Sequence, residues 1–444
     1  MYGKKGIACC AVLAIALSLG TRAVFAASAS YANTLTGNWG GARNALVRKG
    51  VDLNLYYTGD FAHNLTGGVR NSSAYASGFE LVGAFNLDKL IGWKGGSFHL
   101  DVANFDGTLL ADKAHLGSLL STQQIFAGHA TYVANFYWQQ SLWKGLLHLK
   151  YGRMDLVANF FSTPVITQFE NTTFFGPQPG VMASEVTVWP TSSVGEALTV
   201  HPTRAWSFTV ANLAVQPNNQ LVPSEGVKPW NRGHRIGNVA IAQAKVLTDF
   251  PASRDDGAGA GAALHGMWMI GGWHNSAPQP DLLLNVDGQP RTLTGEAALI
   301  RRSAGGVYLT GQQEVTRNAA GGGLLFFANF VHADSNVTLI DQMESLGAVY
   351  NAPFTSRPND SIAFAIGRNG VSPRAVELAR IENESRTGKP STLPGAEYVA
   401  ELNYVVQLPR GISVMPNLQY VDHPGGLGES PDYTVFGVQL GVTF

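Results

Sequence analysis

Tyr433-Thr434-Val435-Phe436-Gly437-Val438-Gln439-Leu440-Gly441-Val442-Thr443-Phe444 alternates with a period of two. Phe436, Val438, Leu440, Val442 and Phe444 fall on one face, which is wholly apolar. Tyr433, Val435, Gly437, Gln439, Gly441 and Thr443 fall on the other, which is small or polar. Successive side chains of extended backbone point to opposite sides, so the stretch reads as an amphipathic β-strand. A half-buried strand of a soluble protein has the same pattern, but it rarely ends a chain at a bare aromatic residue.

The same alternation recurs upstream. Val51, Leu53, Leu55, Tyr57 and Phe61 alternate with Asp52, Asn54, Tyr56, Thr58 and Asp60. Tyr132, Phe136 and Trp138 face away from Thr131, Asn135 and Gln139, and Leu147, Leu149 and Tyr151 oppose His148 and Lys150. Tyr398, Leu402, Tyr404 and Val406 oppose Glu397, Glu401, Asn403 and Gln407. Sixteen strands are expected: 51–61, 79–87, 98–105, 131–139, 146–153, 194–201, 205–212, 236–246, 263–274, 305–314, 322–332, 337–350, 360–367, 396–407, 411–421 and 433–444. The connections tend to alternate between long and short. The segment 247–262 is longer than a turn on the short side should be.

A sandwich and a barrel both produce such strands, so the rest of the chain has to choose between them. Lys4 and Lys5, the apolar run Ile7–Leu19 and Val24-Phe25-Ala26 have the order of a cleavable export signal, residues 1–26. Both cysteines, Cys9 and Cys10, lie in it, so the exported chain has no disulfide. Removing the leader takes away Lys4, Lys5 and Arg22 and no acid. That leaves 27 basic against 31 acidic residues, a net charge of −4. Such a balance gives no field for nucleic acid. Charged residues are 14%, against roughly 25% in soluble proteins, yet the mean hydropathy is only +0.02. No segment after the leader offers 18 consecutive apolar residues, which excludes helical spans. An exported chain that enters a bilayer without helices must close its sheet, because only then is every backbone group satisfied in lipid. The expected fold is therefore all-β: a transmembrane antiparallel barrel over 51–444, with short periplasmic turns and long outer loops. It is preceded by a periplasmic segment, 27–50, in which 40–49 can form one short helix. Placement in the outer membrane of a Gram-negative bacterium follows.

Residues 35–51, Leu-Thr-Gly-Asn-Trp-Gly-Gly-Ala-Arg onward to Lys-Gly-Val, resemble the amino-terminal motif of the carbohydrate-selective porins, the OprB type. Gly92-Trp93-Lys94-Gly95-Gly96, Leu149-Lys150-Tyr151-Gly152-Arg153, Arg357-Pro358-Asn359-Asp360, Met415-Pro416-Asn417-Leu418-Gln419-Tyr420 and the terminal strand extend the likeness. The resemblance implies a sixteen-stranded barrel that passes small sugars such as glucose.

No catalytic, phosphate-binding or metal-ligand motif appears, and no cofactor is expected. The candidate site is the lumen. Glu80, Asp101, Lys150, Glu397 and Glu401 face inward by parity, and mixed charge suits a neutral polyhydroxyl solute. Arg153 shares a face with Tyr151 and reaches the lumen only if its strand ends there. The connection 154–193 is long and carries Phe160, Phe161, Phe169, Phe174, Phe175 and Trp189. Folded inward, its rings, Phe174, Phe175 and Trp189 above all, can stack on sugar C–H faces. They can equally serve only to pack the loop on the wall. Outer-membrane lipid is one expected partner. The barrel-assembly machinery, reading the last strand to Phe444, is another. A general diffusion porin, an outer-membrane barrel enzyme and a soluble exported β protein are the competing readings.

Overall fold

The computed structural model describes residues 31–125, 128–177, 189–216, 235–251, 263–318, 321–428 and 430–444, so the expected leader lies outside the described residues. The strands are β1 (Val51–Thr66), β2 (Ser73–Asn86), β3 (Gly96–Gly107), β4 (Ala130–Leu142), β5 (Leu147–Met154) and β6 (Ser193–Val200). Next come β7 (Trp206–Val215), β8 (Gly237–Pro251), β9 (Ala263–Asn275), β10 (Gln279–Asn285), β11 (Ala298–Arg301) and β12 (Ala304–Glu314). The last are β13 (Gly323–Ala333), β14 (Ile340–Asn351), β15 (Ser361–Val371), β16 (Ala396–Leu408), β17 (Ile412–Asp422) and β18 (Tyr433–Thr443). Strands β10 and β11 pair only with each other. The other sixteen pair antiparallel around a closed ring, β9 with β12 and β18 back to β1.

Every strand anticipated from the alternation is present. Phe79, Phe208, Ile270, Phe364, Leu418 and Phe436 lie exposed on the outer face, where lipid replaces water at no cost to an apolar surface. No described helix is long and apolar enough to cross a membrane. Two of the boundary shifts and one register slip have local reasons. β8 runs on to Pro251, paired with Ala263, so the connection after it shrinks to 252–262, outside the described residues. β14 starts at Ile340, not 337, because Asp334 closes a turn: it accepts from Asn336 N–H through Oδ1 and from Thr338 N–H through its carbonyl. In β4 the register slips beside Ala134, between Asn135 and Val133. The slip reverses the parity, as a bulge does. Tyr132 therefore lies buried on the inner face against Phe105, instead of outward with Phe136 and Trp138.

Two elements were not anticipated. The connection 276–303 holds the β10–β11 hairpin, and 372–395 holds a helix, Pro373–Thr387. They meet at Asp281, whose buried carboxylate takes Arg301 at 2.8 Å and Arg374 at 3.0 Å and caps the N–H groups of Leu283 and Leu284. Burial alone would raise this carboxyl. The main-chain donors and the two guanidiniums outweigh it and hold the pKa below its ordinary value.

The inner face is not polar throughout. Leu213, Val239, Ile241, Trp273, Tyr308, Val331 and Met343 form an apolar wall. A wall that receives an inserted segment becomes the core of a packed interface, and must be apolar where the segment is apolar.

Candidate functional site: the inserted loops and the cavity beneath them

The described parts of the connection between β5 and β6, residues 155–177 and 189–192, fold into the barrel. Phe160, Phe161, Phe169, Phe174 and Phe175 are all buried, with Phe161 edge-on to Tyr308 and Phe169 against Phe327 on the wall. Burying an aromatic side chain contributes about 1.5–3 kcal/mol relative to leaving it in water. Five such rings decide that the loop packs inward instead of standing above the membrane.

Polar wall groups fix where it packs. The Glu401 carboxylate accepts from the main-chain N–H of Glu170 at 2.9 Å and of Asn171 at 2.8 Å. Gln168 C=O accepts from Asn403, and Asn171 donates to Gln419. At the start of the loop, Asn135 donates to both Asp101 (2.7 Å) and Asp155 (2.6 Å), while Lys150 donates to Asn159 at 2.8 Å. At its end, the Arg153 guanidinium donates to the Ser192 hydroxyl and carbonyl at 3.1 and 2.8 Å. Arg153 is 1% exposed whereas Tyr151 is 56% exposed. Alternation alone would put both outside. Gly152 breaks it: its φ of 139° suits only glycine, and a Cβ there would stand 2.4 Å from the Phe136 carbonyl oxygen.

A second segment, 108–125, also enters the barrel, and sequence reasoning missed it. Glu397 holds it, accepting from Leu119 N–H at 2.7 Å, while Gln419 donates to Thr122 C=O. Gln123 donates to Asp60 C=O and accepts from Leu110 N–H. The two segments join through Thr172 N–H to Ser121 C=O. A signal was available: Leu109, Leu110, Leu116, Leu119 and Leu120 are too apolar for a water-facing loop.

Below the two segments lies a cavity of about 320 Å³, toward the barrel end that carries the end of β12, the start of β13 and the turns 352–360 and 409–411. The wall contributes Tyr56, Glu80, Gln312, Glu314, Gln407 and Gln439; the segments contribute Gln124, Gln168, Phe175 and Trp189. Trp189 stands edge-on to Phe105 at 5.3 Å. Among the described lining residues there is no lysine, arginine or histidine.

The anticipated residues thus separate into groups. Glu80, Phe175 and Trp189 line the cavity. Asp101, Lys150, Arg153, Glu397 and Glu401 hold the inserted segments or their ends, and Phe174 is buried between the loop and the wall.

A closed sixteen-stranded ring narrowed by an inward loop is porin architecture. The family model described as carbohydrate-selective porin, OprB family, matches residues 70–444. The chain belongs to this family. It is 31% identical to Porin B of Pseudomonas aeruginosa over 97% of this chain and 95% of that protein. It is 24% identical to the putative porin QuiX of Acinetobacter baylyi over 92% of this chain and 93% of that one. A solved structure of Pseudomonas putida OprB, determined at high pH, superposes with a TM-score of 0.85 at 28% identity, covering 94% of this chain and 100% of that one. As an OprB-family porin the protein is an outer-membrane β-barrel of a Gram-negative bacterium and a channel for small sugars.

Proposed function

We propose that the channel favours small neutral sugars such as glucose and disfavours anionic ones, with the cavity beneath the loops as the selective passage. The observation that carries the reading is its lining: amides, hydroxyls and aromatic rings, two carboxylates, and no cation among the described residues. Amides and hydroxyls both donate and accept, as sugar hydroxyls require. The Phe175 and Trp189 rings offer faces for C–H surfaces. With no cation among the described lining residues, and Glu314 already paired with Arg317 at 2.7 Å, a phosphate or carboxylate finds no partner there to replace its water. Liposome swelling with glucose, glucose 6-phosphate and gluconate tests this. Glucose should enter several-fold faster than either anion. Equal entry would favour a general diffusion porin, for which the polar lining alone would suffice.

The remaining parts of the reading concern delivery. Residues 1–26 direct export, and the outer apolar face of β18 with Phe444 is what the barrel-assembly machinery recognises. Phe444→Ala should lower the amount of inserted barrel. Unchanged insertion would remove that role.

A further inference from the structure

The Trp39-Gly40-Gly41-Ala42-Arg43 motif takes no part in the cavity, yet Arg43 is among the most deeply buried cations, at 3% exposure. Gly40 and Gly41, at φ of 63° and 102°, turn the chain into the helix Ala42–Lys49, and Arg43 is its second residue. The guanidinium lies 3.9 Å over the Tyr31 ring and 5.0 Å from that of Trp39. Tyr31 is fixed in turn by donating to Asp52 of β1 at 2.7 Å.

What Arg43 reaches is the seam of the barrel. The β1–β18 ladder has its last rung at Tyr56–Thr443. Below it, β1 continues from Leu55 down to Val51 with no partner strand on that side. Arg43 stands in this gap. One nitrogen, Nη1, donates to the Phe444 carbonyl at 2.7 Å and to Thr34 Oγ1 at 3.1 Å. The other, Nη2, donates to the Leu53 carbonyl of β1 at 2.9 Å and to Asn54 Oδ1 at 3.2 Å. Leu35 N–H adds a bond to the Thr443 carbonyl at 2.7 Å, and Phe444 N–H one to Leu55. A planar fork of donors can span two carbonyls on two strands, which a lysine ammonium cannot do with the same geometry.

We propose that residues 31–50 are a closing clasp, in which Arg43 locks the first and last strands together after they have met. Its role is separate from sugar passage and does not depend on the solute. The seam is the one pair of barrel neighbours that no connecting segment links along the chain. The clasp supplies the equivalent link for β1 and β18.

The test is amide hydrogen exchange on the full-length protein in detergent, comparing wild type with Arg43→Met. Exchange should become at least tenfold faster at Tyr56–Gly59 and Gln439–Val442, while Ala328 and Leu346 of the β13–β14 ladder keep their protection. The temperature at which the folded band is lost in detergent electrophoresis should fall. Arg43→Lys keeps the charge and should give an intermediate seam, and it carries the measurement if the methionine variant does not insert. Wild-type protection at the seam, or an equal loss on both ladders, would overturn the clasp. So would failure of both variants to insert, which would place Arg43 in strand assembly rather than in closure.

Discussion

At the scale of single residues, charge and ring face do different work, and substitutions can separate them. Glu80 stands on the wall of the cavity, with no cation among the described lining residues. Glu80→Lys puts a cation there, so the rate of glucose 6-phosphate relative to glucose should rise several-fold in liposome swelling. An unchanged ratio would show that Glu80 does not set the field. Trp189 contributes no charge. Trp189→Ala should weaken glucose block of ion current by roughly 2–10-fold, the worth of about 0.5–1.5 kcal/mol of ring contact, with ion flow changed less; Trp189→Phe should retain most of the block. A block that survives the alanine would leave the ring with a packing role only. The inward parity of Glu80 was legible in the sequence because β2 alternates regularly. Tyr132 was misplaced because a bulge at Ala134 leaves no mark that periodicity can read. Arg153 was legible only as an exception, since the residue that redirects it is its neighbour Gly152.

At the scale of elements, the strands were legible almost in full because lipid on one side enforces a strict apolar face. The segments inside and above the barrel were not, because they obey no period. The helix Pro373–Thr387 nonetheless carries readable ends: Ser372 accepts from Arg374 N–H as a cap, Pro373 opens it and Gly388 closes it. The hairpin β10–β11 has strands too short, and a proline too early, to stand out. Two predictions belong here. The loop 155–192 hangs on Glu401, which receives two main-chain N–H groups. Glu401→Gln replaces bonds to a carboxylate, worth about 1.5–3 kcal/mol each, by bonds to a neutral oxygen, worth about 0.5–1.5 kcal/mol, so the loop should loosen. Single-channel recordings should then show higher and noisier conductance, and a quiet wild-type level would mean that the phenylalanines alone hold it. The contact between the β10–β11 hairpin and the helix Pro373–Thr387 depends on Asp281. Its folded pKa lies below the unfolded value, so its contribution is complete above that unfolded value, about 3.9. It is lost as pH falls through the folded pKa. Below about pH 3.9, or at pH 7 in Asp281→Asn, the helix Pro373–Thr387 should exchange amide hydrogens faster while the barrel strands stay protected. Equal protection in the asparagine variant would show that Arg301 and Arg374 do not depend on this charge.

At the scale of the whole molecule, a sixteen-stranded ring fixes its own width, because diameter follows strand number and tilt. The ring's width alone therefore cannot select among small solutes, and the narrowing has to be supplied from within. The chain does this by filling the outer part of its barrel with two inserted segments and leaving a polar cavity under them. The apolar wall patch that receives the phenylalanines and the carboxylates that receive the main chain are one adaptation seen from two sides. Removing residues 160–185 should consequently leave the barrel standing, with a strand-dominated far-ultraviolet circular dichroism spectrum in detergent, since every rung of the ladder lies outside the deleted stretch. The passage should widen. Conductance should rise and the preference for glucose over larger or anionic solutes should fall together, because one segment both narrows the channel and carries ring faces. If the shortened protein folds and keeps wild-type conductance and sugar discrimination, the segment 108–125 is the selective element, and the same deletion strategy applied there should then raise conductance and lower discrimination. If conductance rises but discrimination stays, the wall groups Glu80, Gln312 and Gln439 select by themselves, and the loop serves only to restrict flow.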